Sequence, residues 1–344
     1  MTIRINLALQ GGGAHGAFTW GVLDRFLDEK DIEIAALSGT SAGALNAAAF
    51  KSGLVSGGRD GARTCLDALW QGVSSIGDAK MNLWLRPFLP FASAWTEAIH
   101  SSLAFSPQGM AASMFSPYSW GSNGHNPLED VVNQMNYDDI HSPDGPQLFI
   151  SATNVRTGKI KVFSGTEVTP QALLASACIP TVFRAVEITD PATGTAEAYW
   201  DGGYTGNPAL FPLYDRSLPD DIVIVQINPL RRDETPNDSQ EIHNRINEIS
   251  FNSALMGELR SINFVHRLIA DGRIEKGQMK NVLVHFIADD KLMNDMTAAT
   301  KLMPSPTLLK RLKAAGRRAA GAFLRAEKAN LNHRSSVKLA QLFS

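Results

Sequence analysis

The chain has little of what characterises a secreted or membrane-spanning protein. Its 344 residues include two cysteines, Cys65 and Cys178, which are too few for a disulfide framework and suit a reducing compartment. No stretch approaches the roughly 20 consecutive apolar residues that a transmembrane helix needs. The N-terminus lacks the apolar segment and small-residue cleavage site of a secretory signal. We expect a cytoplasmic protein, and peripheral contact with membranes stays open.

Net charge is also almost absent. The formal net charge of -2 gives no global attraction to nucleic acid, so we expect no nucleic-acid partner, and any basic surface must be local. Apolar residues make up 44% of the chain and charged residues 19%, which fits a globular protein that buries a substantial core. The length allows one large α/β domain or a domain with an extension.

A serine on a predicted strand-to-helix turn is the strongest local signal. Residues 34–37 predict a short buried strand and residues 42–49 an alanine-rich helix, with Ser41 between them. Gly39 and Gly43 lie two residues to either side of Ser41, and a strained serine turn tolerates only such small neighbours. This is the context of a nucleophile elbow, in which the helix N-terminus favours a developing alkoxide. The alternative is an ordinary turn with a capping serine.

A glycine-rich loop, residues 11–16, joins a predicted strand at 3–9 to a predicted helix at 17–30. Unhindered N–H groups at a helix N-terminus form an anion site. The loop also matches the G-x-G-x-x-G spacing of dinucleotide-binding units. Such a unit needs an acidic residue at the end of the second strand, but residues 38–41 (SGTS) stand there. We therefore favour an oxyanion hole near Ser41 over a nucleotide site.

Two polar residues are candidates for proton transfer. Asp201 ends a predicted strand and is followed at once by Gly202 and Gly203, a position where loops meet ligands. Its alternative interpretation is an ordinary aspartate turn. His15 lies on the first turn of the predicted helix, so we interpret it as structural, or as a donor near the site, rather than as the base.

Two longer stretches each leave two interpretations open. An insertion at about residues 80–125 is rich in aromatic and methionine side chains, most of them at 81–120. It predicts either an irregular segment packed on the core or an apolar lid or acyl-chain channel. Residues 305–344 form a basic tail with apolar residues at helical spacing. This tail predicts either a helix packed on the domain with a solvated basic face, or a helix lying on anionic lipid.

Four motifs, in their order along the chain, resemble those of the patatin-like phospholipases: residues 11–16 (GGGAHG), 39–43 (GTSAG), 176–180 (SACIP) and 201–203 (DGG). The resemblance covers roughly residues 5–213. It implies a three-layer α/β sandwich with a mainly parallel central sheet. It also implies a Ser–Asp dyad without a catalytic histidine, acting on lipid or other acyl esters without a metal or organic cofactor. We expect a catalytic domain over 5–217, a continuation of the α/β core over 218–304, and a C-terminal helical extension over 305–344.

The resemblance implies a role for each matching residue. Ser41 is the nucleophile that forms an acyl-enzyme, and Asp201 is the proton acceptor. The N–H groups that stabilise the oxyanion belong to Gly11, Gly12 and Gly13. The supporting motif positions are His15, Gly16, Gly39, Gly43, Gly202 and Gly203. Many members carry Arg or Lys where this chain has His15, and a neutral imidazole would leave the backbone amides and the helix dipole to hold the oxyanion alone.

Two alternative functions remain. Ser41, Asp201 and His285 follow the Ser, Asp, His order of α/β-hydrolases, although His285 lies within an apolar strand, where a buried core histidine is the simpler interpretation. The second alternative is a non-catalytic module that binds a membrane or a partner on an inactive hydrolase scaffold. The intact Ser41, Asp201 and triglycine loop argue against this second alternative.

Overall fold

The computed structural model describes residues 2–76, 118, 126–180, 182–190, 193–237, 239–275, 277–296, 300–301 and 303–343. The lid or acyl-chain channel predicted at residues 81–120 lies outside the described residues, apart from Tyr118. That interpretation therefore stays a prediction.

One sheet organises the described part of the chain, with eight strands in the order β5-β6-β3-β2-β1-β7-β8 and β4 paired with β3. The strands are β1 (Ile3–Leu9), β2 (Ile32–Thr40), β3 (Gln147–Asn154), β4 (Ile160–Ser164), β5 (Val186–Thr189), β6 (Ala196–Asp201), β7 (Asp221–Val225) and β8 (Leu283–Ile287). Strands β3, β2, β1, β7 and β8 run parallel. Strands β4 and β6 are antiparallel to β3, and β5 is antiparallel to β6. The predicted α/β class is confirmed, with a mixed sheet that is parallel at its centre.

Helices cover both faces of the sheet. They are α1 (Ala17–Phe26), α2 (Ala42–Ser75), α3 (Glu129–Val132), α4 (Tyr137–His141), α5 (Pro170–Ser176), α6 (Ser239–Ala270), α7 (Asp290–Asn294) and α8 (Pro306–Glu327). Helix α2 is kinked at Gly57 and Gly58, whose backbone angles are not helical. Asn126 and Pro127 lie just before α3, a helix of four residues.

The central strands are buried on both faces, and their side chains alternate between two cores. In β7, Val223 and Val225 pack into the core that contains α1 and α2. Ile222 and Ile224 pack into the other core, which contains residues of α6. Continuous apolar strands of this kind are typical of a parallel sheet covered on both sides, and the result is the predicted three-layer arrangement.

Helix α8 packs on the domain. Its side chains Leu312, Ala315 and Phe323 are buried in the core shared with α1. Arg317 forms ion pairs with Asp24 and with Asp28 of the segment after α1, the second at 2.9 Å. Part of the basic face that the sequence left open is therefore directed at the domain.

Candidate active site

The register of the sheet brings Ser41 and Asp201 to the same level. Strand β3 lies between β2 and β6. Thr40 at the end of β2 pairs with Ser151, and the next residue of β3, Ala152, pairs with Asp201 at the end of β6. Because Ser41 follows Thr40 directly, it faces Asp201 across one intervening strand.

Ser41 has the strained backbone expected of a nucleophile elbow. Its φ is 54° and its ψ is -125°, a conformation that costs on the order of 1–3 kcal/mol for a residue with a side chain. A β-carbon at Gly39 would lie 2.6 Å from the carbonyl oxygen of Gly43, and one at Gly43 would collide with the carbonyl oxygen of Leu9, which explains the two glycines of the motif. The Ser41 N–H donates to Oγ of Ser176 (2.9 Å), and the Ser176 hydroxyl donates to the carbonyl of Ser151 (2.7 Å). Ser176, in the SACIP motif, thus fixes the turn.

Asp201 is 1% exposed. Burial raises the pKa of Asp201 to about 7, although hydrogen bonds from the Gly203 N–H and from the Ser41 side chain oppose the rise. The Gly203 bond to Oδ1 measures 2.7 Å. A side chain at Gly203 would collide with the ring of Phe251 on α6. The turn after Asp201 therefore requires glycine at this position. The carboxylate therefore has the proton affinity of a base that works near neutral pH.

The glycine loop passes directly against Ser41. A β-carbon at Gly11 would lie 2.6 Å from the Ser41 β-carbon. The Gly11 N–H, however, donates to Oδ1 of Asn207 at 2.6 Å. This amide is already paired, in contrast to the oxyanion role expected for it from the sequence.

The amides that follow Gly11 are better placed to bind an anion. Gly13, with a φ of 58°, begins a 3₁₀ turn over Gly13–Gly16 that leads into α1. The first hydrogen bond of this turn runs from the His15 N–H to the Gly12 carbonyl, at 3.2 Å. The N–H groups at the start of such a turn have no acceptor within it, and Gly13 lines the same cavity as Ser41.

His15 does not face the serine as a base. The residue is 2% exposed, and its Nε2 lies 2.7 Å from the hydroxyl oxygen of Thr300. Burial, together with the charge of Lys301, lowers the pKa of His15 to about 3. The ring is therefore neutral at neutral pH, as its structural interpretation requires.

An apolar cavity of about 130 Å³ opens beside Ser41. Its described lining is almost entirely hydrocarbon and aromatic, and includes Leu45, Trp70, Leu128, Ile179 and Phe183. Such walls, next to a few polar groups, suit the apolar part of a ligand.

A network of buried amide side chains holds the glycine loop, and the sequence motifs gave no sign of it. Gln10 Nε2 donates to the Asn207 carbonyl (3.2 Å) and to Asn252 Oδ1 (3.0 Å). Gln10 Oε1 accepts the N–H groups of Ile227 and Asn228 at 2.9 and 3.0 Å. Asn228 Nδ2 donates to the Gly11 carbonyl at 2.8 Å. Isolated Asn and Gln residues carry no such signal, because only the fold brings these four segments together.

His285 lies away from this constellation, in β8. Its Nε2 bonds to Oδ1 of Asp221 at 2.9 Å, and its Nδ1 accepts the N–H of Ser336 at 3.3 Å. Both His285 and Asp221 are completely buried. Because both ring nitrogens are used, His285 is a core histidine, and the structure does not join it to Ser41.

Within the described ranges, no group of three or more His, Cys, Asp or Glu side chains is arranged to hold a metal ion. None of the helices described is long and apolar enough to span a bilayer.

Comparison with known proteins assigns the family. Among solved structures, VipD from Legionella pneumophila is similar, with a TM-score of 0.41 and 14% identity over 94% of this chain and 67% of that chain. The comparison with curated proteins gave no match. The family model of the patatin-like phospholipases matches residues 7–214, which is more than half of the chain and contains all four motifs. The chain therefore belongs to the patatin-like phospholipases, a family of hydrolases that act on lipid esters.

Proposed function

We propose that the protein is a serine acyl hydrolase that cleaves lipid esters with Ser41 and Asp201 alone. The observation that carries this proposal is the register of the sheet. It brings Ser41, held at a positive φ of 54°, level with the buried carboxylate of Asp201 across one intervening strand. A serine hydroxyl is a weak nucleophile until a neighbouring base accepts its proton. Asp201 meets that requirement because burial raises its pKa to about 7.

The proposed reaction has two steps. The Ser41 oxygen attacks the ester carbonyl while its proton moves to Asp201, and the leaving alcohol takes that proton as the acyl-enzyme forms. Asp201 then accepts a proton from water, whose oxygen attacks the acyl-enzyme. The bond to Ser41 breaks, the fatty acid is released, and Asp201 returns the proton to the Ser41 oxygen. The same carboxylate serves both steps, so no histidine is required.

The oxyanion of each tetrahedral intermediate is assigned to the N–H groups of Gly12 and Gly13. Gly11 is set aside because its N–H is paired with Asn207. Each such donor contributes on the order of 3 kcal/mol to transition-state stabilisation. The acyl chain is assigned to the apolar cavity beside Ser41.

Contact with an anionic membrane is a second part of the proposal. Arg311, Arg318 and Arg325 are exposed on α8, and their spacing of seven residues places them in a row along one side of the helix. Basic residues near an anionic surface contribute about 1 kcal/mol each. Such a row is able to hold the enzyme at the surface that contains its substrate.

A substrate panel of phospholipids, glycerides and short-chain esters tests the proposal on the wild-type protein and on Ser41→Ala. Ser261→Ala is the matched control, because that hydroxyl lies on α6 and, among the described residues, bonds only the carbonyl of Gly257 (3.1 Å). We expect turnover of at least one ester class by the wild type and the control, and none by Ser41→Ala. A wild type that turns over no ester, yet sediments with anionic vesicles, would support the non-catalytic binding module.

A further inference from the structure

A lysine from the C-terminal part of the chain reaches the cavity at Ser41. Lys301 lines this cavity together with Gly13 and Ser41, and it is the one charged residue among the described lining residues. A side chain at Gly13 would collide with the Lys301 carbonyl. The main chain of residue 301 is therefore packed directly on the glycine loop.

The ammonium of Lys301 begins a chain of hydrogen bonds that ends in the glycine loop. Lys301 Nζ donates to Asn228 Oδ1 at 2.8 Å. Asn228 Nδ2 in turn donates to the Gly11 carbonyl at 2.8 Å. The orientation of the Asn228 amide is fixed, since an ammonium can only donate.

This series of hydrogen bonds ends on one particular peptide group, the one between Gly11 and Gly12. The carbonyl of Gly11 and the N–H of Gly12 belong to the same peptide group, so a donor to the carbonyl oxygen polarises the N–H on the other side. The Gly12 N–H is one of the two donors assigned to the oxyanion above. Lys301 thus lies at the opposite end of a relay from the developing negative charge.

The charges around Lys301 leave its ammonium without a paired carboxylate among the residues described. Glu248 on α6 faces it, but that carboxylate is bound by Arg232 at 2.6 Å and by Arg245 at 3.3 Å. Arg232 follows β7 and also faces Lys301, and His15 in the glycine loop is neutral. Lys301 is half-buried, and an oxyanion held by the glycine loop would provide its ammonium with a counter-charge during the reaction.

We propose that Lys301 is a positioning residue of the oxyanion site, which acts through Asn228 on the Gly11–Gly12 peptide. This inference rests on the proposed acyl hydrolase function. It predicts a pH dependence of its own, because burial lowers the pKa of Lys301 to about 8, with Glu248 opposing and Arg232 adding to that effect. Activity therefore rises as Asp201 ionises through about pH 7 and falls as Lys301 loses its proton through about pH 8.

The test measures kcat and KM for p-nitrophenyl butyrate, a neutral ester, from pH 5.5 to 9.5 on the wild type, Lys301→Met and Lys301→Arg. At pH 7.5 we expect Lys301→Met to lose about tenfold in kcat with little change in KM, which is less than the 10²- to 10³-fold loss on removing a direct donor. At pH 9.5 the difference from the wild type should nearly vanish, because the wild-type lysine is then neutral. Lys301→Arg should restore most of the activity and abolish the alkaline fall, since arginine keeps its charge.

Thermal unfolding of each variant at pH 7.5 separates this role from a structural one. A Lys301→Met protein that folds as the wild type does, with wild-type kcat and an unchanged alkaline fall, overturns the inference and leaves the acyl hydrolase function standing. An alkaline fall that persists in Lys301→Arg also overturns it. A wild type without turnover of any ester overturns the proposed function and this inference together.

Discussion

The buried carboxylate of Asp201 combines catalytic usefulness with a cost in stability. Its pKa is raised to about 7 in the folded protein, whereas an exposed aspartate titrates near 3.9. The folded state therefore binds a proton that the unfolded state releases between about pH 4 and 7. Stability supplied by the protonated form is complete below pH 4, falls as pH rises through this window, and is lost above pH 7. The total is on the order of 4 kcal/mol.

Asp201→Asn should therefore be more stable than the wild type at pH 8 while lacking turnover. The neutral amide removes the ionisation cost, and its oxygen is still able to accept the Gly203 N–H. Denaturant unfolding of both proteins at pH 4.5 and pH 8 measures the effect, and the advantage of the variant should grow by on the order of 3 kcal/mol between them. A difference in unfolding free energy that does not change with pH would show that Asp201 is not held protonated by burial.

His285→Ala should have the opposite effects: a loss of stability with ester turnover retained. It breaks a completely buried pair with Asp221, and removal of one partner of such a pair costs about 3 kcal/mol or more. Ester turnover per folded molecule should remain close to that of the wild type, because both ring nitrogens are used away from Ser41. Turnover and melting temperature measured on the same preparation check this, and lost turnover in a folded variant would revive the Ser-Asp-His alternative.

At this scale the sequence was informative where chemistry requires a particular residue in a particular local turn. Ser41, Gly39 and Gly43 are such residues. The sheet register brings Ser41 and Asp201 to the same level on either side of β3, and their roles as a dyad remain a prediction. The sequence could not show that the Gly11 amide is occupied, since its acceptor, Asn207, is 196 residues away. The contact between Lys301 and Asn228 could not be predicted for the same reason, because 73 residues separate them in the sequence.

At the scale of elements, the contact between α1 and α8 depends on two glycines, each of which faces the backbone of the opposite helix. A β-carbon at Gly21 would meet the main chain of α8 at Lys313, and one at Gly316 would meet the main chain of α1 at Phe18. Backbone atoms cannot move aside as a flexible side chain can. The helices must therefore separate if either glycine gains a side chain.

Gly316→Ala should destabilise the protein by about 1–3 kcal/mol through overpacking. Gly257→Ala is the matched control, because Gly257 also lies inside a helix, α6, and no atom of the described ranges lies within 4 Å of an added β-carbon there. The control should stabilise by up to about 1 kcal/mol from helix propensity. Denaturant midpoints compare the two, and equal stabilisation by both would contradict the close packing.

Elements with a clear pattern of apolar residues were predicted well, and elements whose formation depends on tertiary packing were not. The strand predicted over residues 3–9 is β1, and the strand predicted around residues 34–37 extends over β2. Strand β5 was not predicted, because its four residues alternate only between partial burial and exposure. The kink of α2 at Gly57 and Gly58 was not predicted either.

At the scale of the whole molecule, the C-terminal region is both part of the core and a candidate membrane contact. Deletion of residues 305–344 would test the membrane role poorly, because it removes the buried side chains of α8 along with its exposed arginines. Charge reversal of the exposed row leaves the buried face intact.

The triple variant Arg311→Glu, Arg318→Glu, Arg325→Glu should lose at least about tenfold in binding to vesicles that contain phosphatidylserine. Sedimentation with vesicles at low and physiological salt measures the binding. A second triple variant reverses the same number of charges at other exposed positions: Lys159, Arg273 and Lys291. Equal binding by the two triple variants would remove α8 from the proposed membrane contact.

The account as a whole depends on an activated hydroxyl at residue 41 and a base at residue 201. The most direct measurement is the rate at which a fluorophosphonate probe labels the protein between pH 5 and pH 8, with the labelled residue located by mass spectrometry of tryptic peptides. We predict an adduct on Ser41, formed at a rate that rises through about pH 7, and at least about a hundredfold slower labelling of Asp201→Asn. An adduct on another residue, or labelling of Asp201→Asn at the wild-type rate, would contradict the account.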